Sequence, residues 1–322
     1  MIVQGGQTRI RLAFTGFATL LPMTLLFLAV PASADCAAPD RIGVFVSVLP
    51  QAYFVERIGG DRVTVEVLVG PGQSPHTFEP TPRQMTKLAQ ARVFFRIGVP
   101  FENALLPKIS KSFQGLSIVD TREGVELLPL AGHDDHVTHG VRHHAQGEGP
   151  ADPHIWLDPA RVKVQARTIC TALVRMDPAN RGRYEKNLDA FLADLDRLHG
   201  ELGKILAPLK GSRIYVFHPA FGYLAEAYGF VQVPVELGGK EPSARQLARI
   251  VRQARSEGVR VIFVQPQFSR KNAQAVAREI GGTVVPIDPL PREYMAEMRN
   301  MADTIRSARL RDEGRGTATR RH

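Results

Sequence analysis

Residues 177–211 read DPANRGRYEKNLDAFLADLDRLHGELGKILAPLKG. Apolar side chains fall at Tyr184, Leu188, Phe191, Leu195, Leu198, Leu202, Ile205 and Leu209, at steps that alternate between four and three residues. That is the period of one face of an α-helix. Asp177-Pro178 supplies a cap and a preformed first turn, and the stretch Pro208 to Gly211 ends the pattern. A helix of about 32 residues is roughly 48 Å long, longer than most domains are wide. Such a helix is expected to act as a rigid spine joining two lobes.

The sequence on either side agrees. Short runs rich in β-branched residues occur at Gly43–Leu49, Val63–Val69, Val93–Ile97 and Leu116–Val119 before the spine. Arg213–Phe217, Val231–Val235, Val259–Val264 and Thr283–Ile287 follow it. Most are continuously apolar, as suits parallel strands buried on both faces. Helical patterns alternate with them. Thr81-Pro82 opens one and Asp158-Pro159 another, while Leu247, Ile250, Val251 and Ala254 mark a third. A fourth opens at Ser269 and closes at Gly281. The expected fold is α/β: two lobes, each a mainly parallel four-stranded sheet flanked by helices, joined by one long spine helix. The expected divisions are a leader at 1–34, an N-terminal lobe at 35–176, the spine at 177–210, a C-terminal lobe at 211–307 and a loose basic tail at 308–322.

The leader reading rests on Arg9 and Arg11, the apolar run Leu12–Val30, and Ala32-Ser33-Ala34 as a cleavage site. It predicts an exported, periplasmic protein without a membrane anchor after cleavage. Two cysteines, Cys36 and Cys170, follow the leader, and spacing does not decide whether they pair. The formal net charge of +9 is no sign of nucleic-acid binding. It is concentrated at the ends, above all in the arginines of the last 18 residues, and aromatic residues for base stacking are few.

Ten histidines are the main chemical resource. Half of them, His133, His136, His139, His143 and His144, lie in GHDDHVTHGVRHHAQGEG (132–149), which has almost no apolar residue and cannot pack. They are weak, auxiliary metal candidates. Three others lie where a strand ends or a helix begins: His76 in Ser74-Pro75-His76-Thr77-Phe78-Glu79-Pro80, His154 in Asp152-Pro153-His154-Ile155-Trp156-Leu157-Asp158-Pro159, and His218 before Pro219. Asp288, in Ile287-Asp288-Pro289-Leu290, is a fourth candidate. Ligands of parallel α/β sheets bind outside the carboxyl ends of the strands, so all four could converge between facing lobes. Three imidazoles and a carboxylate suit tetrahedral Zn²⁺, whereas Mn²⁺ prefers more oxygen.

These motifs resemble those of ZnuA/TroA-type solute-binding proteins, the extracytoplasmic metal receptors of zinc and manganese ABC importers. The resemblance runs from about Arg41 to Ser307. It implies two lobes bridged by a rigid helix, with His76, His154, His218 and Asp288 as ligands. The His-rich loop and the imidazole at His218 resemble the zinc-type members. The implied function is zinc capture and delivery to a membrane permease by a monomer, without catalysis. A receptor for manganese or another divalent metal is the alternative, and an exported zinc hydrolase a more distant one. No H-E-x-x-H or G-x-S-x-G motif is present. Glu79 is a candidate to orient a ligand imidazole. Glu236 and Glu241 could orient a ligand or dock a partner, but a solvated loop is the leading reading of both, and Gln265 is left without a metal role.

Overall fold

The computed structural model describes residues 41–130, 150–236, 243–268 and 270–319. The expected leader, Cys36, Glu241, Ser269 and the five loop histidines lie outside them. Two parallel four-stranded sheets are present. The first is built from β1 (Ile42–Val46), β2 (Val63–Val67), β3 (Val93–Arg96) and β4 (Ser117–Asp120), in the order β2-β1-β3-β4. The second has the equivalent order β6-β5-β7-β8, from β5 (Arg213–Val216), β6 (Val231–Pro234), β7 (Val261–Val264) and β8 (Thr283–Pro286). All pairings are parallel, so each strand returns through a crossover. Val93, Phe94 and Phe95 are all buried although successive side chains point to opposite faces. Both faces of this sheet are therefore covered, which explains the continuous apolar runs.

In the first lobe the crossovers are α1 (Leu49–Gly59), α2 (Pro82–Gln90) and α3 (Phe101–Ser112). The helix α4 (Pro159–Met176) then leads to the spine α5 (Arg181–Leu206). The second lobe has α6 (Gly222–Tyr228), α7 (Ala244–Ser256), α8 (Arg270–Glu279) and α9 (Tyr294–Thr319). Two predicted caps form, at Thr81 and Asp158, whereas Asp177 makes no side-chain cap bond and Asn180 precedes the first residue of the spine. The Thr81 hydroxyl accepts from the Gln84 N–H at 3.3 Å, and Asp158 Oδ1 accepts from the Ala160 N–H at 2.9 Å.

The spine is flanked by single 3₁₀ turns at Pro178–Asn180 and Ala207–Leu209, so helical backbone runs through the predicted stretch. Tyr184, Phe191, Leu195, Leu198, Leu202 and Leu206 are buried on it. Its apolar stripe meets α1 and α4 of the first lobe and α9 of the second. One continuous apolar core therefore extends from the first sheet through the spine to α6 and α9. A smaller core lies between the second sheet and α7 and α8.

Two expectations are corrected. The strand predicted to reach Leu49 ends at Val46, because Leu49 begins α1. Eight of its eleven residues are buried and Glu56 alone is exposed, so its polar stripe is too narrow to reveal an amphipathic helix. Gln51 Oε1 caps it by accepting from Ser47 N–H at 3.0 Å and Val48 N–H at 3.3 Å. The tail expected to be loose from residue 308 instead continues α9 to Thr319. Burial of Met298, Met301, Ala302, Ile305 and Ala308 docks that helix, and no proline interrupts it. A helix anchored at its start propagates at little cost.

Candidate metal centre

His76 lies on the loop between β2 and α2. His154 immediately precedes the 3₁₀ turn Ile155–Leu157, which leads through Asp158 into α4. His218 is two residues beyond β5. Each imidazole thus leaves a carboxyl-terminal strand edge or a helix entry, and the two lobes bring all three together. One ligand atom from each lies within 4.8 Å of those of the other two. His76 Nε2 and His218 Nε2 are 3.1 Å apart. A tetrahedral zinc with bonds of about 2.0–2.1 Å needs nitrogens roughly 3.3 Å apart, so only small movements separate this cluster from a zinc site.

Two imidazoles are oriented from behind by buried carboxylates. His154 Nδ1 donates to Asp152 Oδ1 at 2.6 Å, and the His154 backbone N–H donates to the same oxygen at 2.9 Å. His218 Nδ1 donates to Glu236 Oε2 at 2.9 Å. A carboxylate can only accept here, so each ring carries its proton on Nδ1 and presents the Nε2 lone pair to the cleft. Asp152 and Glu236 are each 2% exposed. Glu236 Oε1 is also buried and, among the described residues, has no hydrogen-bond partner. Two negative charges held in a dry wall behind neutral ligands suit a divalent cation in front of them.

Other groups fix the geometry. Gln265 clamps the backbone of His218, accepting from its N–H at 3.1 Å and donating to its carbonyl at 3.0 Å. The Phe268 ring stacks on His218, with centroids 4.6 Å apart and an interplanar angle of 20°. Tyr223, on α6, donates to the Asp152 carbonyl at 2.8 Å and accepts from the Leu128 N–H at 3.0 Å. At Gly222 a Cβ would come within 2.8 Å of Asp152 Oδ2, so only glycine lets α6 approach this closely. Burial, then the neighbouring His218 and His154, pushes His76 down to about 3. His218 is also lowered, chiefly by burial, against the opposing pull of Glu236. Both rings are therefore neutral and ready to ligate at ordinary pH.

Asp288 does not join the cluster. It is exposed, and its Oδ1 accepts from the Leu290 N–H at 3.0 Å and from Gln267 Nε2 at 2.9 Å. An aspartate before Pro289 readily folds back on its own turn in this way. Glu79 is likewise exposed, and orientation of the imidazoles falls to Asp152 and Glu236 instead. The reading of Glu236 as a solvated loop residue is overturned, since it follows β6 into the interior beside β5. Asp152 was missed, although an acid two residues before a candidate ligand is a signal, and Glu236, for which an orienting role was open, has nothing in the linear chain that ties it to His218.

The family model for the periplasmic zinc-uptake complex component A, ZnuA, matches residues 44–308. The chain belongs to the ZnuA family. It is 30% identical over 256 residues to the high-affinity zinc uptake system protein ZnuA of Bacillus subtilis (strain 168), covering 77% of this chain and 78% of that one. A crystal structure of ZnuA superimposes with a TM-score of 0.76 at 40% identity, over 84% of this chain and 99% of that one. A zinc-bound ZnuA deletion mutant matches with the same score and identity. Among the described residues no helix is long and apolar enough to cross a membrane.

Proposed function

We propose that this protein is a periplasmic zinc receptor: it captures one Zn²⁺ between its lobes and hands it to the membrane permease of an ABC importer. The observation that carries the reading is the convergence of His76, His154 and His218, from both lobes, with buried carboxylates behind two of them. Three borderline nitrogen donors favour zinc over manganese, which would draw on harder oxygen ligands. The similarity to zinc-uptake proteins points the same way. Ligation belongs to the three imidazoles, and the fourth position is left to water or to a ligand of the permease, because Asp288 lies outside the cluster and its Oδ1 is bonded to Leu290 and Gln267. A hydrolytic zinc site would need a general base beside that open position. Asp152 and Glu236 are instead occupied on the far side of the rings.

Competition titration against a zinc chelator tests this reading. Wild type should bind one tight equivalent, and His154→Ala should lose at least about a hundredfold, or nearly 3 kcal/mol. Asp288→Asn should stay within about threefold of wild type, under 1 kcal/mol. A His154→Ala variant that binds zinc as tightly as wild type would reject the ligand assignment.

A further inference from the structure

The two lobes repeat more than a strand order. At the amino-terminal edge of each sheet, away from the metal centre, lies a small surface pocket: about 280 Å³ in the first lobe and about 250 Å³ in the second. The two are built from equivalent positions. Arg92 immediately precedes β3, and Arg260 immediately precedes β7. Ser117 opens β4 and Thr283 opens β8. Their backbone N–H groups donate to the Arg92 carbonyl at 3.0 Å and the Arg260 carbonyl at 2.7 Å, so the local frames coincide bond for bond. From the helix that follows each sheet, α4 and α9, a further alanine and arginine complete the wall at the same spacing: Ala172 with Arg175, and Ala308 with Arg311.

The two lobes have otherwise diverged. The strands β1 and β5, IGVFV and RIYV, share little, and the metal ligands are not repeated from one lobe to the other. Apolar identities within a repeated frame can follow from packing alone. A pair of arginines and a hydroxyl at solvent-facing positions do not, because packing imposes no such requirement there. Among the described residues, the lining of the first pocket holds no carboxylate. In the first, Arg92 and Arg175 are exposed, and among the described residues neither forms an ion pair. The carboxyl-terminal end of α4 contributes about half a negative charge nearby, which two full guanidinium charges outweigh.

We propose that these pockets are a matched pair of binding sites for a small oxyanion of the phosphate class, one on each lobe. Guanidinium groups present forked donors that fit tetrahedral oxyanions, and a serine or threonine hydroxyl at the strand start supplies a neutral donor. The volumes fall below those of pockets that hold drug-sized organic ligands, which favours an ion or a single headgroup. The pockets are separated from the metal centre by the length of the strands, roughly 13 Å. Their occupation is therefore independent of the zinc ligands.

The test is an amide-resolved NMR titration of the zinc-free full chain with inorganic phosphate, against chloride at matched ionic strength. Signals of Gly115 and Ser117 should shift saturably, as should those of Gly282 and Thr283. The double substitution Arg92→Gln with Arg175→Gln should weaken the first pair of responses by at least about tenfold. It should leave the second pair, the melting temperature and zinc affinity unchanged. A parallel arm uses phosphatidylglycerol vesicles: binding that the same substitutions abolish would assign the anion to a lipid headgroup and uphold the site. Shifts that never saturate, that chloride reproduces, or that survive the double substitution would overturn the proposal. Because zinc affinity is read separately, failure here leaves the receptor assignment standing, and failure of that assignment leaves these sites untouched.

Discussion

Asp152 and Glu236 show how much of the metal centre lies behind its ligands. Each holds one imidazole by Nδ1, and each is buried with its charge. Removing the charge while keeping the shape, by Asp152→Asn or Glu236→Gln, should weaken zinc binding about 10- to 100-fold. The same chelator competition measures it, and a change below threefold would make these carboxylates mere packing. The histidines also tie folding to pH. His76 titrates near 6.5 when unfolded and at about 3 when folded. Between those values the unfolded chain binds more protons, so the zinc-free protein should lose stability as pH falls from about 6.5 towards 3. His218 is shifted in the same direction and adds to the loss. Urea midpoints recorded across that range check the sign; a midpoint that rose on acidification would contradict it.

Among the elements, α4 carries both a functional and a structural burden. Its entry positions His154, while its body packs Val162, Ala166, Ile169 and Leu173 into the core. In the midst of that face Gln165 is fully buried, and among the described residues neither its Nε2 nor its Oε1 has a hydrogen-bond partner. Burying an unsatisfied amide costs about 1–3 kcal/mol, whereas an apolar side chain of similar size gains from the same burial. Gln165→Met should therefore raise stability by about 1–2 kcal/mol in denaturant unfolding. A lower midpoint would mean that the amide is satisfied, for instance by an ordered water.

At the scale of the whole molecule, the lobes are locked rather than hinged. The helix α5 contributes a rod of roughly 39 Å to a core shared by both sides. Trp156, beside His154, donates to the Pro289 carbonyl at 2.6 Å, and Tyr294 on α9 returns a bond to the Trp156 carbonyl at 2.7 Å. Tyr294 also meets Phe54 of α1 edge-on at 5.0 Å. Opening the cleft widely would break these buried contacts together, whereas hinge motion needs a few unconstrained residues. Small-angle scattering of zinc-free and zinc-loaded protein should nearly superimpose. A contraction of several per cent in radius of gyration would show that a hinge exists after all.

What the linear chain determined is whatever local periodicity and caps encode. The stripe from Tyr184 to Leu209 specifies the spine, the eight apolar runs specify the strands, and Thr81 and Asp158 mark helix starts. His76, His154 and His218 were legible because each stands in a turn motif at a strand end or helix entry. Wherever burial covers most of an element or a partner is distant in the chain, that legibility stops. Buried at eight of its eleven positions, α1 shows too narrow a polar face to betray it, and α9 owes its length to docking on the spine. Glu236 became an orienting carboxylate only when β6 paired with β5 and carried it beside His218. Asp288 stands outside the cluster, with its Oδ1 bonded to Leu290 and Gln267. Spacing along a chain reports which face a residue occupies; only the packed molecule decides which partner reaches it first, because competing hydrogen bonds are settled by distances that the fold alone sets.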